Sequence, residues 1–163
     1  MAESVVVDKS LSQSEQYILL IKQVKSLLNK DDNDLSNLSN LTAILKQTFD
    51  KISWVGIYLF DGEKLYLGPF QGKVACTQIE IGKGVCGTAA KKNVTVIVED
   101  VDQFPGHIVC DADSRSEIVV PIFINNKLYG VLDLDSTSLS AFDETDKKYL
   151  EEICDFLGNE ILA

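Results

Sequence analysis

Apolar residues recur at every third or fourth position in three segments of the chain, and this spacing predicts amphipathic helices. The first two segments lie within about residues 11–50 and are separated by the polar run Asp31-Asp32-Asn33-Asp34, which offers an N-cap for the second helix. The third spans about residues 142–162 and has one apolar face, formed by Leu150, Ile153, Cys154, Leu157 and Ile161. We expect the first two helices to pack on each other or on a sheet, and to offer a surface for a homodimer.

Between these helices, over about residues 52–135, short apolar runs are rich in β-branched and aromatic side chains, which predicts strands. The run at residues 52–60 is apolar on both faces, so we expect it to be central in the sheet. Residues 74–79 form a weaker strand candidate that contains Cys76. The order of elements favours an α+β fold, a single domain over residues 1–163 whose central antiparallel sheet has helices packed on its faces.

The composition narrows the classes of partner. Lys and Arg number 15 against 25 Asp and Glu, and the resulting net charge of −10 disfavours nucleic acid and anionic membrane surfaces. No apolar run approaches the roughly 20 residues that span a bilayer, and the N-terminus carries no signal-peptide pattern. We therefore expect a cytoplasmic protein, in which cysteines that pair are usually catalytic or redox-sensing.

The longest polar stretch between two predicted strands, residues 102–117, contains Cys110 and the chain's only histidine, His107. Loops of this length are usually functional or disordered. A reactive cysteine is typically partly exposed in a polar loop, whereas a structural one prefers an apolar face. Cys110 is therefore the candidate nucleophile, and Cys154, on the apolar face of the last helix, is a candidate core residue.

The remaining two cysteines, Cys76 and Cys86, fall in or beside predicted loops. Cys86 lies near the start of a short predicted helix, where the helix dipole favours a thiolate. One nucleophile with one or two further thiols is the minimum set for thiol redox chemistry. A zinc site built from Cys76, Cys86, His107 and Cys110 is an alternative, although only His107 and Cys110 are closely spaced. Three incidental cysteines are a further alternative.

Acidic and aromatic residues form a second group of candidates. Asp133 and Asp135 alternate with leucines at the end of a predicted strand and so share one face, while Glu117 begins the strand expected to pair with it. Three converging carboxylates could hold an ammonium group, and crowding with burial would raise the pKa of at least one of them. The alternative is a solvated polar face. Trp54 and Tyr58 share a strand face, either as an apolar wall for a ligand or as plain core.

Several motifs together resemble those of GAF domains and, more closely, of the free methionine-(R)-sulfoxide reductases, over about residues 15–160. The general motifs are Trp54-Val55-Gly56-Ile57-Tyr58, Ile81-Gly82-Lys83-Gly84-Val85-Cys86-Gly87, Val119-Val120-Pro121-Ile122 and Gly130-Val131-Leu132-Asp133-Leu134-Asp135. The specific part is the three-cysteine set, in which Cys110 lies between Phe104-Pro105-Gly106-His107-Ile108 and Ser114-Arg115-Ser116-Glu117.

The resemblance implies an oxidoreductase for free L-methionine-(R)-sulfoxide, a product of oxidative stress. Cys110 would attack the sulfoxide sulfur and become a sulfenic acid. Cys76, or alternatively Cys86, would then form a disulfide with Cys110, and thioredoxin would reduce it. Neither a metal nor an organic cofactor is required.

The resemblance also implies roles for the acidic and aromatic residues. Glu117, Asp133 and Asp135 would surround the substrate's ammonium group and sulfoxide oxygen, and Trp54 and Tyr58 would enclose its methyl end. The alternative function is a GAF-type module that senses a small ligand or redox state without catalysis. Such a sensor normally acts through an output domain, for which a chain of 163 residues is expected to leave no room.

Overall fold

The computed structural model describes residues 4–162 and contains helices at both ends of that range with a sheet between them. The elements are α1 (Gln13–Leu27), α2 (Asp34–Thr48), β1 (Trp54–Phe60), β2 (Lys64–Gln71), β3 (Gln78–Glu80), α3 (Gly84–Lys92), β4 (Val96–Val98), β5 (Ser116–Ile124), β6 (Lys127–Ser136) and α4 (Glu144–Phe156). A 3₁₀ turn at Val101–Gln103 follows β4, and a π-helical turn at Leu157–Ile161 extends α4.

The six strands form one antiparallel sheet in the order β3-β2-β1-β6-β5-β4. The predicted α+β fold is confirmed, and β1 lies between β2 and β6, centrally, as its apolar faces predicted. The β5–β6 hairpin turns at Asn125 and Asn126, which both have positive φ (50° and 62°). Consecutive left-handed residues are typical of the tight turns that match the twist of paired strands.

One face of the sheet is covered by α1, α2 and α4, which together enclose the larger apolar core. α1 begins with a capping box in which Ser12 and Glu15 satisfy each other's backbone N–H groups. α1 and α2 pack on each other, and α2 also packs on the sheet, so both expected arrangements occur together. None of the helices within residues 4–162 is both long and apolar enough to cross a lipid bilayer.

The other face of the sheet carries α3 and a smaller core. The strand predicted at residues 74–79 is wrong in its extent, because β3 comprises only Gln78–Glu80 and Cys76 lies in the loop before it. β3 pairs only with the first residues of β2. The residues that precede β3 leave the edge of the sheet. The Cys76 carbonyl instead accepts a hydrogen bond from the Tyr58 hydroxyl at 2.9 Å. This loop therefore approaches the middle of the smaller core.

Candidate active site

A pocket opens on the α3 face of the sheet, where β5 begins and β6 ends. Two loops cover it, residues 72–77 between β2 and β3 and residues 104–115 before β5. Seven of the eight predicted site residues line the pocket: Trp54, Tyr58, Cys86, Cys110, Glu117, Asp133 and Asp135. The eighth, Cys76, is bonded to one of them. Segments far apart in the sequence therefore meet at a single place.

The carboxylates converge because of strand register. β5 pairs with β6 so that Glu117 lies opposite Asp135, and β1 places Gly56 opposite Asp133. Glu117 and Asp133 are only 6% and 5% exposed. The solvated-face alternative is therefore wrong for these two side chains, and the predicted alternation of the aspartates is confirmed.

Burial dominates the acidity of this cluster. Desolvation raises the pKa of Glu117, with a further contribution from the negative charge of Asp133. Desolvation likewise raises the pKa of Asp133 to about 6. The pKa of Asp135 is raised for the same reasons, partly offset by a 2.7 Å hydrogen bond that the Ser114 hydroxyl donates. Each carboxyl group of the cluster therefore retains its proton to a higher pH than a solvated carboxyl group does, which favours a role as a general acid.

Cys86 lies near the start of a helix, as predicted, but the thiolate that the helix dipole was expected to favour is contradicted. It lies inside α3, is 3% exposed, and its thiol donates to Glu117 Oε1 at 3.9 Å. Burial raises the pKa of this thiol, and the charges of Asp133 and Glu117 raise it further. Desolvation and two carboxylates thus outweigh the helix dipole, because the dipole contributes only about 0.3–1 kcal/mol at typical sites. Cys86 is a neutral thiol here.

Cys76 and Cys110 form a disulfide with a Cα–Cα distance of 5.4 Å. Both sulfurs are thereby removed from the predicted four-ligand zinc set, which cannot form in this state. The loop that carries Cys76 is anchored by the Trp54 indole, which donates to the Lys73 carbonyl at 3.0 Å. The disulfide therefore joins the two loops that cover the pocket.

Three contacts at the site were not predicted from the sequence. His107 Nε2 lies 3.8 Å from Glu117 Oε2, and desolvation lowers the pKa of this histidine. Ser114 donates to Asp135 across 21 residues of sequence. The Lys73 ammonium pairs with Asp113 and lies 3.7 Å from Asp111, linking the two covering loops. Ser114 and His107 belong to the quoted motifs, but no spacing rule connects them to these partners.

The aromatic pair serves both roles that the sequence left open. Trp54 and Tyr58 stack with ring centroids 6.1 Å apart, and Trp54 also stacks on Phe70 at 5.5 Å. They are 3% and 2% exposed and belong to the smaller core, yet both line the pocket. The site thus offers an apolar wall, a group of carboxyl groups with raised pKa, a histidine and a pair of cysteines able to exchange two electrons.

Comparison with known proteins gives consistent matches over most of the chain. The model of the GAF domain family matches residues 36–161. GAF domain-containing protein A of Dictyostelium discoideum is 49% identical, covering 98% of this chain and 100% of that protein. Free methionine-R-sulfoxide reductase of Escherichia coli is 42% identical, covering 88% and 87%. The X-ray structure of free methionine-R-sulfoxide reductase from Neisseria meningitidis in complex with its substrate has a TM-score of 0.89 and 44% identity, covering 95% and 94%.

Proposed function

We propose that this chain, which belongs to the GAF domain family and within it to the free methionine-R-sulfoxide reductases, reduces free L-methionine-(R)-sulfoxide to methionine by thiol chemistry. The observation that carries the proposal is the Cys76–Cys110 disulfide beside a pocket with three carboxyl groups. When reduced to two thiols, this cysteine pair supplies the two electrons of sulfoxide reduction, and the neighbouring buried acids supply protons for the departing oxygen. The form described by the structure corresponds to the oxidised enzyme.

The reaction balances in three steps. The Cys110 sulfur attacks the sulfoxide sulfur, methionine leaves, and Cys110 becomes a sulfenic acid that has lost two electrons. The Cys76 thiol then attacks this sulfenic acid, and the oxygen leaves as water while the disulfide forms. Thioredoxin reduces the disulfide by exchange and becomes a disulfide itself. This recycling requires a reducing compartment, and the cytoplasm is the location that we propose.

Cys76 is a better candidate than Cys86 for the resolving thiol. Cys76 is within bonding distance of Cys110, whereas the Cys86 thiol is buried and contacts Glu117. Cys86 can therefore serve as a hydrogen-bond donor to the acid cluster. We assign it a resolving role only if Cys76 is removed.

The carboxylates account for the preference for a free amino acid. A free methionine sulfoxide carries an ammonium group, whose N–H groups can donate to the carboxylates of Glu117, Asp133 and Asp135 while their negative charge balances the cation. A methionine sulfoxide within a polypeptide has an amide there, which would leave buried carboxylates without a cationic partner. The apolar wall of Trp54 and Tyr58 would enclose the methyl end of the side chain.

The test is a thioredoxin-coupled assay with four substrates, the separated R and S epimers of free methionine sulfoxide and of N-acetylmethionine sulfoxide. We expect turnover of the free R epimer and a loss of at least about tenfold in kcat/KM for its N-acetyl form. Comparable rates for free and acetylated substrates would refute the ammonium site. If the enzyme reduces none of the four substrates, the proposed function is wrong.

Thiol counting separates the enzyme from a sensor. Reduced protein mixed with free methionine sulfoxide and no reductant should lose two thiols and release about one methionine per chain. A sensor would bind the compound and keep its thiols.

A further inference from the structure

We propose that Cys86, Glu117 and Asp133 form a binding site for a thiophilic divalent cation such as Zn²⁺, with His107 as the fourth ligand, and that the cation inhibits the enzyme by occupying the ammonium site. The binding itself is independent of the proposed function, and only the inhibition rests on it. The three side chains each offer one donor atom, and these atoms all lie within 4.8 Å of one another. All three residues are buried.

The distances suit a tetrahedral ion after small side-chain movements. Zinc bonds of about 2.3 Å to sulfur and about 2.0 Å to oxygen or nitrogen place tetrahedral ligand atoms roughly 3.3–3.5 Å apart. Cys86 Sγ is 3.9 Å from Glu117 Oε1, and His107 Nε2 is 3.8 Å from Glu117 Oε2. Both separations exceed the ideal by only a few tenths of an ångström, and they involve the two different oxygens of Glu117. His107 is not among the donors that lie within 4.8 Å of one another, so its ring must turn toward the ion to become the fourth ligand. A cation entering between these atoms would draw them together.

An independent observation points to a ligand at this position. Asp133 Oδ1 is fully buried and has no hydrogen-bond partner among the described residues. A buried carboxylate oxygen without a donor is costly and is usually satisfied by a cation, a water or a bound group. Cys86 and Glu117 flank the same carboxylate. The carboxylate that carries the unpartnered oxygen therefore also supplies one of the donor atoms of the cluster.

The donor set selects the type of cation. A thiolate and an imidazole favour zinc-like ions, whereas Mg²⁺ and Ca²⁺ prefer oxygen ligands alone. On binding, the Cys86 thiol releases its proton to solvent, and the resulting thiolate and the carboxylates balance the charge of the cation. The set retains Cys86 and His107 from the zinc alternative expected from the sequence, but carboxylates replace the two cysteines of the disulfide.

Binding is tested on the oxidised wild-type protein, in which Cys76 and Cys110 are blocked by their disulfide. Calorimetric titration with ZnCl₂ should show one saturable site, and CdCl₂ should produce a thiolate-to-metal absorption band. Cys86→Ser should abolish the band, and Asp133→Asn should weaken Zn²⁺ binding at least about tenfold, since even outer-shell partners of metal sites contribute that much. Cys154→Ala, which removes the other buried thiol, should change neither signal. No saturable binding, or a band that persists in Cys86→Ser, would overturn the proposal.

Competition is tested in a non-reacting protein that carries Cys76→Ser and Cys110→Ser. Free methionine sulfoxide should bind this variant, and saturating Zn²⁺ should weaken that binding at least about tenfold. Simultaneous binding of both with unchanged affinities would overturn the inhibitory role. If Zn²⁺ binds and methionine sulfoxide does not, the proposed function fails while the metal site stands. If methionine sulfoxide binds and Zn²⁺ does not, the metal site is wrong while the proposed function stands.

Discussion

The two faces of the sheet bury polar groups in opposite ways. On the face covered by α1, α2 and α4, the side chains are mostly aliphatic and aromatic, and the buried polar groups have partners. On the face covered by α3, a smaller core surrounds an acid cluster and the neutral thiol of Cys86. The first arrangement favours the stability of the fold, whereas the second retains an unsatisfied carboxylate oxygen, that of Asp133, which can act on a ligand.

Two buried aspartates make this comparison specific. Asp146, on the helical face, accepts from the Tyr17 hydroxyl at 2.6 Å and from the Lys51 ammonium at 2.7 Å. It also completes the capping box of α4 by accepting from the Asp143 backbone N–H at 2.9 Å. Asp133, on the α3 face, has no donor to its Oδ1 within residues 4–162. Asp146, which has a cationic partner and several donors, stabilises the fold. Asp133 lacks such partners, so its burial carries a desolvation cost that a bound ligand could offset.

Two buried cysteines differ in the same way. Cys154 lies on the apolar face of α4, as its spacing predicted, among leucine and isoleucine side chains. Cys86 is equally buried but contacts Glu117. Burial raises the pKa of both thiols, so burial alone does not distinguish a structural cysteine from one in a site. The neighbouring groups make that distinction.

The largest contrast is expected between cysteines. Cys110→Ser should abolish thioredoxin-coupled methionine formation, because a hydroxyl forms neither the sulfenic acid nor the disulfide. Cys154→Ala should retain activity within about twofold and lose roughly 1–2 kcal/mol of unfolding free energy. Appreciable turnover by Cys110→Ser, or a folded but inactive Cys154→Ala, would contradict the assignments.

The two aspartates should differ in their effect on stability. Asp146→Asn should lower the free energy of unfolding by about 3 kcal/mol, because Lys51 loses its carboxylate partner in a partly buried setting. Asp133→Asn should lower it by less than about 1 kcal/mol at pH 7, or raise it, because a buried carboxylate with an unpaired oxygen is removed. Urea denaturation of both variants measures this difference. Equal destabilisation would mean that the two faces do not differ in this respect.

The acid cluster should affect catalysis more than folding. Glu117→Gln should reduce kcat/KM for free methionine sulfoxide about 10- to 100-fold, the value of one charge-assisted hydrogen bond. A loss confined to kcat would indicate proton donation in the transition state rather than ammonium binding. The matched control is Glu63→Gln, at the exposed β1–β2 turn, which should leave kcat/KM unchanged. Wild-type activity in Glu117→Gln would exclude either role.

The protonation of Asp133 should appear in the pH dependence of stability. The ordinary pKa of an aspartate, taken for the unfolded state, is 3.8, and burial raises the pKa of Asp133 to about 6 in the folded protein. The folded state therefore binds the proton more tightly. This contribution is complete below about pH 4 and is lost as the pH rises through about 6. The unfolding free energy of wild type minus that of Asp133→Asn should therefore fall by roughly 2 kcal/mol between pH 4 and 7. A difference that stays constant or rises would contradict the raised pKa.

The smallest effect is expected at the ion pairs between the covering loops. Lys73→Ala should slow formation of the Cys76–Cys110 disulfide by no more than about threefold at low salt, because exposed ion pairs contribute little. The difference should disappear at 1 M NaCl, where screening is strong. Stopped-flow trapping of the sulfenic acid measures the rate, with the exposed Lys30→Ala as the control. A larger or salt-independent effect would show that Lys73 acts through packing.

Local patterns in the sequence were sufficient for most elements of the fold. Periodic apolar positions predicted the three long helices, and alternation predicted that Asp133 and Asp135 share a face. These inferences succeed because helix and strand periods depend on backbone geometry within a few residues. The predicted strand at residues 74–79 failed because the Tyr58 hydroxyl and the loop before β5 determine where that chain lies.

The identity of the candidate reactive residues could be inferred from the sequence, but their chemical state could not. A polar loop indicated Cys110, and the resemblance implied the partners Cys76 or Cys86. Only the tertiary structure decided that Cys76 lies against Cys110 and that Cys86 is a buried neutral thiol beside Glu117. Acidity and pairing depend on burial and on groups distant in sequence. These are determined by how strands and loops pack, which no local spacing encodes.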